Sequence, residues 1–243
     1  MTIKVYGLSL LFFLTFAAPV FAVQKDSVQY KNEMGLVITD LIDGSLQFSY
    51  ERALGKNLTV KVGLAYKGEN GLVRLSGLDR NHIKTNDLTY DGLKIIPEFR
   101  YYLKNTQDQK LDGFYFGAFL KYNGFQSDIS GTYISSSQKE YTLNFDVKLR
   151  VMAIGLMVGY KLPLSKRFNL DFLFAGPGQS WHKYSIKSIG EIPDEFYDDL
   201  NNALKNYNVY DLLHSDIHFR PISGTTKFGM PTFRYSMTLS FKL

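Results

Sequence analysis

Cysteine is absent from the 243 residues, so no disulfide framework can stabilise the chain. A closed, fully hydrogen-bonded β-structure would meet that demand. Tryptophan is scarce, a single residue, although 17 tyrosines and 19 phenylalanines bring the aromatic share to 15%. That richness fits the aromatic girdles of a barrel as well as soluble all-β proteins. A strong charge excess is missing too: 28 basic against 23 acidic residues leave +5. The excess is too small and scattered to argue for nucleic acid, though it suits anionic head groups.

Only one apolar run is long, Leu8 to Ala18, preceded by Lys4 and followed by Pro19 and Val20-Phe21-Ala22. Charge, apolar core and small-residue cleavage pattern in that order are the layout of a secretory signal peptide. The run falls short of the ~20 residues a transmembrane helix needs. Residues 1–22 are therefore read as the signal and residues 23–243 as one exported domain.

What the sequence has instead is alternation. In the last eleven residues Phe233, Tyr235, Met237, Leu239, Phe241 and Leu243 interleave with Arg234, Ser236, Thr238, Ser240 and Lys242. Successive strand side chains point to opposite faces, so this segment has one apolar and one polar face. Its length suits a tilted bilayer-crossing strand, which needs about 9–11 residues. Seven earlier stretches repeat the pattern: 32–39, 46–51, 58–66, 93–104, 114–122, a long one spanning 145–162, and 168–174. The slightly negative mean hydropathy is compatible with a barrel, whose lipid-facing residues alternate with polar ones.

Eight is an allowed even count, and after the first hairpin the connections run short, long, short, long, short, long. Outer-membrane barrels segregate short periplasmic turns from longer extracellular loops in this way, whereas a soluble sandwich has no reason to. The expected fold is all-β: an eight-stranded antiparallel transmembrane β-barrel with long extracellular loops at 68–92, 124–143 and 187–230. The last loop holds a short helix, opened by Pro193, Asp194 and Glu195. Phe196, Leu200, Ala203, Leu204 and Tyr207 give it an apolar stripe that could cap the barrel mouth, lie on head groups or meet a partner. Three irregularities are expected. Pro97 cannot donate to the ladder and predicts a bulge. Apolar parity reverses between Phe145–Val151 and Ile154–Leu162, which predicts a bulge near Val151-Met152. Gly176-Pro177-Gly178 lacks the strand–helix context of a phosphate loop and reads as a strand irregularity.

Eight strands enclose an interior just wide enough for side chains. The inward registers hold Glu33, Glu51, Lys61, Lys94, Glu98, Arg100, Lys121, Asp171, Arg234 and Lys242. Buried charges must pair, so mixed signs point to a salt-bridged plug, the alternative being a narrow solute path past Glu98 and Arg100. Candidates for catalysis or metal are few. His182, beside Ser180 and Trp181 at the outer end of the seventh strand, would serve a lipid hydrolase or acyltransferase if a carboxylate completed the set. Ser-Trp-His is no recognised motif. His214 and His218 would adjoin on a helix, but zinc needs a third ligand. No catalytic, cofactor or metal residue is assigned.

Ser49-Tyr50-Glu51-Arg52-Ala53-Leu54, Pro97-Glu98-Phe99-Arg100-Tyr101-Tyr102 and Gly113-Phe114-Tyr115-Phe116-Gly117, in that order, resemble a family of small exported β-barrels of unknown function from Gram-negative bacteria. Gly159-Tyr160-Lys161-Leu162 and Asp171-Phe172-Leu173-Phe174-Ala175-Gly176-Pro177-Gly178 fit the same pattern, so the resemblance spans nearly the whole exported chain. It implies an outer-membrane location and supplies no catalytic residues. The His-x-Ser-Asn pattern of lipid A deacylases is missing, as is a peptidoglycan-binding domain after the last strand. The expected function is that of a non-enzymatic integral outer-membrane protein, structural or partner-binding through its outer loops. Its partners would be outer-membrane lipids, the barrel-assembly machinery through the C-terminal strand, and an unidentified extracellular or membrane protein, with no nucleic acid among them.

Overall fold

Each alternating stretch becomes a strand in the computed structural model, which describes residues 30–69, 77, 79, 82–87, 89–103, 111–190, 192–205 and 224–243. Residues 1–22, expected to be a signal peptide, and Tyr207, His214 and His218 lie outside them. The described elements are β1 (Asn32–Val37), β2 (Ser45–Ala53), β3 (Leu58–Lys67), β4 (Ile83–Thr85), β5 (Asp91–Tyr102), β6 (Gly113–Ile134), β7 (Glu140–Pro163), β8 (Phe168–Ser188), α1 (Asp194–Lys205) and β9 (Gly224–Lys242). Eight strands close a ring in the order β1-β2-β3-β5-β6-β7-β8-β9, each antiparallel to its neighbours, and β1 pairs with β9 through Leu36 and Leu239. The short β4 pairs with β6 above the end of β5, through Ile83 and Tyr133.

The register fixes the bore. Following the registers once around, from Asn123 through Lys94, Ala65 and Gln47, across to Val37 by continuing the β1–β2 offset one residue past Leu36↔Phe48, and on through Thr238, Asp171 and Lys161, returns to β6 at Gly113, ten residues earlier. Eight strands with that stagger tilt by about 40° and leave a lumen that side chains can fill. Short turns at 54–57 and 164–167 share one end with Asn32 and Leu243, whose backbones hydrogen-bond at 2.9 Å.

The opposite end differs from the expectation. Residues 124–143 are not a loop: β6 and β7 run on as a paired hairpin to Ile134 and Glu140, leaving only residues 135–139 as the turn. Likewise β4 lies within 68–92, and 187–230 contains the first seven residues of β9 as well as α1. No bulge occurs at Val151-Met152, since the β6–β7 register is unbroken from end to end. Odd-numbered residues of β7 face inward throughout, and the apolar parity reverses because the surroundings do. Near the turn end the outward face is apolar, and the inward face carries the small Ala153, Gly155 and Gly159 together with Met157 and Lys161. On the raised hairpin the outward face carries Asn144, Lys148 and Arg150, while Leu143 and Phe145 turn inward onto α1.

Pro97 also passes without a shift. Pairing of β5 with β6 skips Ile96 and Pro97 and resumes at the same offset, from Ile95↔Tyr122 to Glu98↔Phe119. The missing donor opens the ladder on one side only. The real bulge is on β8, where one extra residue enters between Leu173 and Gly176, so that Phe174 and Ala175 span the single Tyr235 of β9, just before Gly176-Pro177-Gly178. It exchanges the faces of β8: Asp171 is buried in the lumen before it, Ser180 after it.

The helix docks by the first residues of its stripe, Phe196 and Leu200. Phe196 is fully buried with Ile83, Tyr133 and Leu143, edge-on to Tyr133 at 5.3 Å and stacked on Phe145 at 5.7 Å, and Leu200 packs at the margin. Tyr133 donates to Asp199 (2.8 Å), and the Ser136 hydroxyl donates to Glu195 (2.6 Å). Of the three roles open to the helix, it covers the inner face of the raised hairpin. Phe196→Ala should remove about 3–5 kcal/mol of local packing. Faster tryptic cleavage at Lys205 with an unchanged barrel would register it.

The hydrogen bond from the Ser136 hydroxyl, with a second from its amide, holds the Glu195 carboxyl below the usual carboxylate range. A depressed native pKa contributes stability above the unfolded value, and that contribution disappears as pH falls through the native one. Acidification through about pH 4 should therefore speed hydrogen exchange in α1 beyond the intrinsic pH effect. Glu195→Gln should abolish that extra pH dependence.

Candidate functional site

Alternation also builds the interior. Each strand of the ring turns one polar side chain or more to the axis near the turn end: Glu33 from β1, Glu51 from β2, Lys61 from β3, Glu98 and Arg100 from β5, Tyr115 from β6, Lys161 from β7, Asp171 from β8 and Arg234 from β9. Arg100 is the hub. Its guanidinium donates to Glu98 (2.6 Å), Asp171 (2.7 Å) and more distantly Glu51 (3.4 Å), and it lies over the Tyr115 ring at 4.3 Å. Lys61 reaches Asp171 at 2.9 Å, Lys161 bridges Glu33 (2.8 Å) and Glu51 (2.6 Å), and Arg234 takes the other oxygen of Glu98 at 2.7 Å.

Neutral donors complete the acceptors. Tyr102 (2.8 Å) and Thr59 (2.6 Å) donate to Glu51, Tyr115 donates to Asp171 (2.8 Å), and Asn169 donates to Glu33 (3.1 Å). Four acids meet four bases, so the cluster is neutral, as a buried charge assembly must nearly be. Arg100, Tyr102, Tyr115 and Lys161 are buried and fill the cross-section. The arrangement braces strands across the lumen and blocks its lower half.

Three of the inward cations are elsewhere. Lys94 sits near the far mouth and pairs with Asp40 (3.2 Å) and Asp43 (2.8 Å) of the β1–β2 turn. Lys121 makes no described hydrogen bond or ion pair. The charges acting on it are Lys94 and Arg234, with Asp40 and Asp43 opposing. Lys242 is buried beside the turn end. Sequence reading overlooked Lys161, although its odd number places it on the same face as Ala153 and Gly159. The supporting hydroxyls of Tyr102, Tyr115 and Thr59 carry no signal in the sequence beyond parity.

The bulge aims Ser180 and His182 into the upper lumen. Ser180 Oγ lies 3.0 Å from His182 Nε2 and also 3.0 Å from the Met230 carbonyl, to which it donates, and the imidazole stacks on Phe228 at 4.8 Å. The structure thus unites the serine and the histidine, but no carboxylate is hydrogen-bonded to that ring among the described residues. Nor do three metal-ligating side chains converge among them. No described helix is long and apolar enough to cross a membrane, which leaves strands untouched by that criterion.

Fold and site together define a closed, antiparallel eight-stranded barrel filled by a neutral salt-bridge network. The chain belongs to DUF3575, a family of proteins of unknown function, whose pattern matches residues 10–195. The match ends at the second residue of α1 and leaves β9 beyond it. Among solved structures the chain is similar to CarO of Acinetobacter baumannii at 12% identity and a TM-score of 0.40, with 90% of this chain and 100% of that one covered. That likeness is too loose to support a functional argument. No curated protein matches the chain.

Proposed function

We propose that the protein is an integral β-barrel of a bacterial outer membrane, exported by residues 1–22, non-enzymatic, and acting as a structural or partner-binding element through its raised far end. The inverted polarity of the barrel carries this reading. Large apolar side chains cover its outside, Leu156 at 70% and Tyr235 at 68% exposure among them, while Glu98 and Arg100 inside are 1% exposed. On the closing strand Phe233, Tyr235, Leu239 and Leu243 are exposed, and Met237 and Phe241 partly so. A belt of that extent would aggregate in water and is what a hydrocarbon layer requires. Below the mouth the filled lumen favours a plug over a conduit.

The absence of cysteine makes the topology directly testable. Ser137→Cys, at the tip of the β6–β7 hairpin, should react with a membrane-impermeant maleimide on intact cells. Lys56→Cys, in the β2–β3 turn, should react only after the outer membrane is opened. Equal labelling of both in intact cells, or recovery of the protein in the soluble periplasm, contradicts the proposal.

The contact between Ser180 and His182 keeps a second reading in view, a lipid hydrolase or acyltransferase. Release of fatty acid from membrane lipid by the purified protein, abolished by Ser180→Ala, would establish it. No lipid turnover would leave the pair as a packing contact.

A further inference from the structure

On the outer wall, where the apolar belt ends, three cations stand side by side. Arg150 on β7 is paired with Lys183 on β8, and Lys183 with Lys227 on β9. Directly opposed strand residues have Cα atoms about 4.5–5.5 Å apart, and like charges so placed repel. All three are exposed, and none has a described ion pair or hydrogen bond. The row has no side chain on its β6 side, where Gly124 faces Arg150. One row above, Lys148 already takes Asp146 at 3.3 Å.

The row beneath reads Tyr122, Met152, Trp181 across β6, β7 and β8. Met152 is 61% and Trp181 53% exposed. The two rows line one open groove of ≈ 550 Å³. Tryptophan and tyrosine favour the head-group level of a membrane, and this is the chain's single tryptophan. Below it the outward residues are apolar apart from Gln179, Leu120 and Ile154 included; above it on these strands come Arg150, Lys183 and Lys227.

We propose that Arg150, Lys183 and Lys227, with Met152 and Trp181 beneath them, bind the phosphate-bearing head group of an outer-leaflet glycolipid, an assignment that rests on the outer-membrane reading. The cations supply what a phosphate needs, and uncompensated mutual repulsion is relieved by an anion. The apolar row below continues where acyl chains would lie. A free phosphate would use only the upper row, so the amphipathic stacking selects a phosphorylated lipid.

The experiment uses the full exported chain folded into phosphatidylcholine vesicles, alone or with diphosphorylated lipid A, and reads the emission of Trp181. A saturable shift to shorter wavelength is expected with lipid A. The combined variant Arg150→Gln, Lys183→Gln, Lys227→Gln should weaken it roughly fivefold per cation, on the order of 100-fold in all. Its barrel should stay intact, because all three side chains are exposed. An undiminished shift in that variant, or the same shift from inorganic phosphate over plain phosphatidylcholine vesicles, overturns the lipid assignment. Protein that fails to float with plain vesicles contradicts the outer-membrane reading itself, which separates the two failures.

Discussion

Arg100→Met should destabilise the barrel by about 3–5 kcal/mol, the cost of removing one partner from a buried ion assembly. Glu98, Asp171 and Glu51 all accept from this guanidinium. Without it four buried acids face three bases, and methionine fills the volume without supplying a donor. Part of the cost falls on Tyr115, which loses the cation over its ring. A drop in the temperature at which the detergent-solubilised protein unfolds would measure it. Arg52→Met, on the exposed face of β2, should stay within about 0.5 kcal/mol. Equal effects from the two variants would show that the interior charges do not act as one assembly.

Gly159→Val is expected to be comparably severe, about 3 kcal/mol or more, by overpacking. A Cβ at Gly159 would collide with the Tyr115 hydroxyl and with the Phe172 carbonyl of the neighbouring strand. The first clash pushes Tyr115 off Asp171, and the second forces β7 and β8 apart beside the β8 bulge. By contrast, Gly55 in the short β2–β3 turn has open space around it, so Gly55→Ala should be near neutral. If Gly159→Val unfolds at the wild-type temperature, the close approach of Tyr115 to β7 is wrong.

The ring was legible because period-2 alternation is the direct imprint of a wall with unlike sides, and Phe233 to Leu243 shows it without interruption. The raised hairpin was not. Residues 124–143 are rich in Ser and Gly, and beyond the apolar belt alternation no longer marks a strand; only pairing between β6 and β7 does. The reversal around Val151 imitates a bulge in sequence because parity alone cannot distinguish a turned strand from changed surroundings. The actual bulge at Phe174-Ala175 lies within an apolar run, where an extra residue leaves the pattern almost unmarked.

For the interior, parity told which charges turn inward but not which meet. Lys61 and Asp171 are joined across the lumen although 110 residues separate them. Lys94 and Glu98 share a strand face, yet Lys94 pairs at the mouth and Glu98 near the turn end. Height along the axis follows from the ten-residue stagger, a property of the closed ring that no single segment carries. His182 shows the same limit, since parity puts it on one face with Ser180 but only the bulge below turns that face to the lumen.

The central claim, a closed barrel whose apolar outside faces lipid and whose charged inside is locked, is tested most directly by gel mobility of the outer-membrane fraction, boiled against unboiled in detergent. A barrel closed by β1–β9 and braced through Arg100 should resist unfolding until heated, so the unboiled protein should migrate as a distinct band. Identical migration of both samples, with the protein recovered in the soluble periplasmic fraction, would contradict it.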